Sequence, residues 1–196
     1  MLTQYGHGEI KWGEQVYKLT PSFINIAKLG TPKEIIETFK HFIVERNIVH
    51  KFNCALSIVR ACCDRELPTS LTGDVKYSER QQRFLIVYPA HGYDMVNDII
   101  VLAEHCLLHG VTGKVPQDDI DEDAKPMEEF DAYKYMELAR IHLNMSVEES
   151  GNMTMTEWLR MMSAKFPEQQ KDDKPTKKQE KEMLDWYFKK NDKVAH

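Results

Sequence analysis

His105 and His109 stand four residues apart in the stretch Glu104-His105-Cys106-Leu107-Leu108-His109, so a helix there would turn both imidazoles toward one ion. The pair Cys62-Cys63 would add a thiolate from another segment. Cys106 lies about 100° around the helix from His105 and does not share its face. The spacing belongs to no zinc pattern, and the plainer expectation is a helix edge with two part-exposed histidines and a buried thiol. Phosphate chemistry has a weaker basis. Gly110-Val111-Thr112-Gly113-Lys114 carries glycines and a lysine, but it lacks the Walker spacing and the Ser or Thr that should follow. The sequence contains no GxSxG elbow, no GxGxxG after a strand and no HExxH. The expectation is a protein that is not an enzyme, with no cofactor and no catalytic or metal-binding residue.

A different chemistry is written near the C-terminal end. Met153, Met155, Met161 and Met162 cluster with Trp158 and Phe166. Methionine adapts its shape and suits surfaces that hold varied helical clients. Trp186-Tyr187-Phe188 follows a polar stretch, where no core of its own is evident; such segments dock on a partner or back on their own domain. The partner-binding residues expected from this are Met155, Trp158, Met161, Met162, Phe166, Trp186, Tyr187 and Phe188. Ordinary core packing is the competing expectation for the methionines. Residues 138–165 also have the cadence of a helix-turn-helix, and a DNA-binding regulator is the alternative function. Its recognition helix would expose Glu157, Arg160 and Lys165, a poor balance for phosphate contact, with a strongly acidic stretch upstream.

These residues need elements to position them. Glu9–Trp12 and Gln15–Leu19 alternate around Gly13-Glu14, a two-residue type II′ hairpin signal. A lone hairpin is marginal in water and must lean on something. A short helix is expected from Phe23 to Leu29. Thr31-Pro32-Lys33-Glu34 opens the next one with an N-cap, Pro at the first position and Glu three residues on. Its apolar stripe is Ile35, Ile36, Phe39, Phe42 and Ile43, and it runs to about Arg46. A further helix covers Val49 to Cys63, and Leu67 to Ser78 reads as loop. Arg83–Pro89 is strand-like and is expected to pair with the N-terminal hairpin. Tyr93 to His109 is the most apolar helix, with Gly110 expected at C′. Helices follow from Phe130 to Leu143, over a short turn from Ser146 to Gly151, and from Thr154 to Lys165.

The fold class expected is mainly α with a small β element (α+β). An N-terminal β-hairpin packs on a helical core, followed by a C-terminal helical group and a flexible tail. The domain boundaries are 1–116 for the hairpin and core, 117–129 for an acidic linker, 130–167 for the helical group, and 168–196 for a polar tail with a short amphipathic helix. The linker rests on charge: residues 118–131 hold eight acids against Lys125 alone.

Composition sets the outer limits. The chain has 196 residues, 42% of them hydrophobic, which suffices for a core. Its net charge is −5, from 26 basic and 31 acidic residues, which argues against a dedicated nucleic-acid or anionic-membrane binder. The apolar run Ile99–Ala103 is far too short to span a bilayer, and no signal peptide is visible at the N-terminus. Four cysteines, two of them adjacent, in apolar helix-like segments read as buried free thiols in a reducing compartment.

Several blocks together resemble one family. They are the hairpin, Pro21-Ser22-Phe23-Ile24, Leu29-Gly30-Thr31-Pro32-Lys33-Glu34-Ile35-Ile36, His109 to Lys114 after the apolar helix, Met153 to Trp158, and Ala164-Lys165-Phe166-Pro167. Spread over residues 9 to 167, they look like the tail assembly chaperones of long, non-contractile-tailed phages (siphoviruses). The resemblance implies a non-enzymatic chaperone that binds the tape measure protein, a long helical client with apolar surface. It also implies tail tube subunits as further partners. Membrane and nucleic acid are not among the partners it implies. The expected location is the host cell cytoplasm, with the protein absent from the mature virion.

Overall fold

A computed structural model describes residues 4–90, 92–114 and 127–166. Two compact units divide the chain. One holds Met1–Lys114 with Glu128–Trp158, and the other holds Val115–Met127 with Leu159–His196. The described architecture is α+β, mainly helical with two antiparallel hairpins.

The first unit begins with strands β1 (Gly8–Trp12) and β2 (Gln15–Leu19), paired from Gly8↔Leu19 to Trp12↔Gln15. Gly13 has φ 58° and Glu14 does not share the positive φ, as the expected II′ turn requires. Alternation sends Ile10, Tyr17 and Leu19 inward. The hairpin leans on the end of α3 (Ile48–Cys62). Thr20 N donates to Cys62 O at 2.9 Å, and Asp64 N donates to Lys18 O at 2.9 Å.

Helix α1 (Phe23–Ile26) runs into a 3₁₀ turn (Ala27–Leu29). Helix α2 (Pro32–Val44) starts at the Thr31/Glu34 capping box and buries Ile35, Ile36 and Phe42. The principal helix pair is α3 with α5 (Tyr93–Leu107). Phe52, Leu56 and Val59 of α3 and Val96, Ile99, Ala103 and Cys106 of α5 are all buried. Cys62 and Cys63 are buried as well, Cys54 is half-buried, and all four thiols are free.

Two expectations for the middle of the chain are corrected. Leu67 to Ser78 is not a loop: it holds α4 (Thr69–Thr72) and strand β3 (Asp74–Ser78). Strand β4 (Arg83–Val87) therefore pairs with β3, from Asp74↔Val87 to Ser78↔Arg83, and not with the N-terminal hairpin. A partner four residues away across a tight turn closes with less loop entropy than one about seventy residues away. Gly110 is likewise not the helix stop. Helix α5 continues as a π turn (Leu108–Thr112), and Gly113, at φ 73°, ends it. Gly110 is small for a different reason, since a Cβ there would lie 2.7 Å from Ile26 Cδ1.

Helices α6 (Ala132–Leu143) and α7 (Val147–Asn152) pack on α1, so residues 130–158 share the core of the N-terminal residues and do not form a group apart. Phe130, fully buried, fastens the return by donating its N–H to Pro32 O at 2.9 Å. Helix α8 (Met155–Lys165) gives its first turn to this unit. Of the second unit, Met127 and residues 159–166 are described. Met161 is exposed there, Met162 and Phe166 are half-buried, and Lys165 Nζ sits 5.8 Å from the Phe166 ring. Most of the acidic linker and the whole 168–196 tail, with Trp186, Tyr187 and Phe188, lie outside the described residues. Among the described residues no helix is long and apolar enough to cross a membrane.

Candidate functional site

The residues at the start of α8 are core. Met153 is 4% and Met155 5% exposed, so Met155 is corrected from partner surface to packing residue. Trp158 is half-buried and meets Tyr135 edge-on at 5.0 Å. Tyr135 stacks on Phe23 at 5.7 Å and on Phe130 at 5.2 Å, so the indole closes an aromatic stack joining α1, α6 and α8. The buried Trp158 Nε1 has no acceptor among the described residues.

His105 and His109 do share a helix side, with rings 4.4 Å apart, but each is engaged in structure. His105 Nε2 donates to Gly6 O at 3.1 Å. His109 Nδ1 lies 2.9 Å from Thr156 Oγ1, which also accepts the Lys114 amide. Burial pushes the His105 imidazole below its ordinary value and favours the neutral ring. Beside them, His7 Nε2 meets Glu157 Oε1 at 3.0 Å, and Thr154 Oγ1 donates to Tyr5 O at 2.9 Å. The polar side chains thus clamp the strap of residues 5–7 to α5 and to the start of α8. Among the described residues no group of three or more His, Cys, Asp or Glu is placed to hold a metal. The clamp also bears on the helix-turn-helix alternative. A recognition helix reads bases with its N-terminal residues. Here Met155 and Thr156 are buried and Glu157 is bound to His7.

An open apolar surface lies elsewhere, around the β3–β4 hairpin. Tyr77, Phe84 and Tyr88 are 51%, 54% and 54% exposed. Tyr77 and Phe84 stand opposite each other in the ladder and meet edge-on at 5.3 Å. Val44 and Ile48, from the ends of α2 and α3, are also exposed. A groove of about 600 Å³ runs between β4 and the first turn of α3. No β3 or β4 residue is fully buried. Paired apolar side chains left in water at this density mark a contact surface better than they mark a core. Sequence reasoning missed this surface because an unbroken run such as Phe84-Leu85-Ile86-Val87 normally signals a strand covered on both faces. The available signal was Val75-Lys76-Tyr77, a short alternation ahead of the polar turn Glu79–Gln82.

One family model, described as a family of unknown function (DUF6246), matches residues 42–183. The match takes in both walls of the groove and leaves the N-terminal hairpin outside. No curated protein and no solved structure matches the chain.

Proposed function

The chain belongs to the DUF6246 family, whose function is unknown, and we propose that it is a non-enzymatic holding protein for apolar segments of other proteins, a tail assembly chaperone. The observation that carries this reading is the exposed aromatic hairpin with Tyr77, Phe84 and Tyr88 beside a groove. Fully burying a large apolar side chain yields about 1.5–3 kcal/mol. Tyr77, Phe84 and Tyr88, each about half exposed, offer roughly half of that apiece as anchors of a contact that further interactions must complete. The exposed Met161 adds an adaptable contact in the second unit. The sequence blocks that resemble siphovirus tail assembly chaperones indicate the client class: the tape measure protein, with tail tube subunits as further partners, in the host cytoplasm before the virion is complete.

Co-expression with a tape measure protein tests the reading. The expected result is a client that stays in the soluble fraction and co-purifies with this chain. A client that remains insoluble, with no complex recovered, overturns it.

A further inference from the structure

The groove beside β4 has a direction. Four consecutive residues, Arg83, Phe84, Leu85 and Ile86, line it. Successive side chains of a strand point to opposite faces. Tyr77 of β3, Phe84 and Ile86 share one face, so the groove opens on that face and, through Arg83 and Leu85, reaches round to the β4 edge. Strand β3 occupies the other edge. Among the described residues, no backbone hydrogen bond outside the hairpin involves Arg83–Val87. Among the described residues an open edge therefore runs for five residues, about 17 Å, with its outward amides and carbonyls unmatched by any of them. Natural edges are usually blunted by charge, proline or a bulge. After Arg83 this one is Phe-Leu-Ile-Val, with none of these.

The charge of the groove is one-sided. Its lining holds Arg83 and His50 and no carboxylate. Arg83 Nε donates to Gln81 Oε1 at 2.9 Å, and no carboxylate pairs with the guanidinium among the described residues. His50 Nδ1 lies 3.7 Å from Glu45 Oε2, a carboxylate outside the lining.

We propose that this edge takes an extended apolar segment of a partner protein as a third strand, with a carboxylate of the segment meeting Arg83. The proposal rests on the holding role above and names its site and chemistry: the segment taken is one that the client presents extended, not one of its formed helices. Main-chain hydrogen bonds to β4 supply affinity, and alternate side chains meeting Phe84 and Ile86 on one face of β4 supply selection. A second copy of this chain fits less well: its own β4 brings another Arg83 and no carboxylate, leaving two guanidiniums unmatched.

Three synthetic ten-residue peptides test this on the full chain. The first alternates valine and glutamate, the second has lysine in place of glutamate, and the third is the first with N-methylated backbone on alternate residues. Fluorescence anisotropy should show the first binding, with the other two at least ten-fold weaker. In Arg83→Glu the preference should reverse toward the lysine peptide; Arg83 is exposed, so the variant keeps its fold. Hydrogen exchange should slow at the β4 amides when the first peptide binds. Equal affinity for all three, no binding of any, or binding indifferent to Arg83→Glu overturns the proposal. So does a dimer by sedimentation whose β4 amides are already protected. If the peptides fail while a co-expressed client is still held in solution, the edge site falls and the holding role stands. If the peptides bind while the client is not held, the reverse is true.

Discussion

His7 and Glu157 are one hundred and fifty residues apart and share a 3.0 Å contact at about one-third exposure. The hydrogen bond to Glu157 lifts the His7 imidazole above its ordinary 6.5, against a smaller opposing effect of burial. For Glu157, burial acts to raise the carboxyl. The bonds from His7 and from the Thr154 amide outweigh it, so the group ends below its ordinary 4.5. The His7 contribution is complete below pH 6.5 and is lost as pH rises through the raised value. The Glu157 contribution is complete above pH 4.5 and is lost as pH falls through the lowered value. The two coincide between pH 4.5 and 6.5. Replacing His7→Gln should cost about 0.5 kcal/mol at about pH 5.5 and less at about pH 8, read from urea midpoints at both values. A cost that does not change with pH would remove the ionic account. The same strap makes a steric prediction. Gly6 has φ +95°, and a Cβ there would collide with His109 Cβ, whereas Gly13 has φ +58° and open space around it. Gly6→Ala should cost about 2–4 kcal/mol and Gly13→Ala about 1 kcal/mol, by the same denaturation. Equal costs would mean that the strap is not clamped.

Among the elements, α1 does more than its single turn suggests. Phe23, fully buried, faces Phe130 at 6.4 Å and Tyr135 at 5.7 Å, and its N–H donates to Met153 O at 2.9 Å. Phe23→Ala should destabilise the first unit by about 3–5 kcal/mol in calorimetry. A loss under about 1 kcal/mol would show that residues 128–158 do not depend on α1. The sequence revealed elements with strong local signals, and the reasons are physical. Thr31/Glu34, Ser146/Glu149 and Thr154/Glu157 cap helices by contacts within four residues, so periodicity and caps placed α2, α7 and α8 closely. Strand partners are long-range choices, and β3 carries only a weak alternation; the second hairpin and its open edge were therefore not legible. The Met cluster failed for a related reason. Spacing puts Met155 and Met161 in one helix, but only packing decides that the first is buried and the second exposed. The histidine spacing was legible, while its use, to hold residues 5–7 in place, depended on a strap a hundred residues away.

For the whole molecule, the net charge of −5 and the cationic lining of the β4 groove point in opposite directions. Most of the excess acid lies in residues 118–131, eight acids against one lysine, and the rest of the chain is close to neutral. A holder that works through apolar anchors, strand hydrogen bonds and one charge pair should be nearly indifferent to salt. Raising salt from about 50 to about 200 mM should weaken client binding by less than about threefold, whereas a nucleic-acid binder making several phosphate contacts loses about a thousand-fold or more. A steep salt slope in a titration would favour the DNA-binding alternative. The central claim is that this chain holds an apolar partner at the β3–β4 hairpin. Hydrogen–deuterium exchange of the full chain, alone and in complex with a co-expressed tape measure protein, addresses that claim directly. The account predicts slowed exchange at residues 83–88 and 47–50, with the core of α3 and α5 unchanged. Slowed exchange confined to the last turns of α8, or none at all in a complex that demonstrably forms, would contradict it.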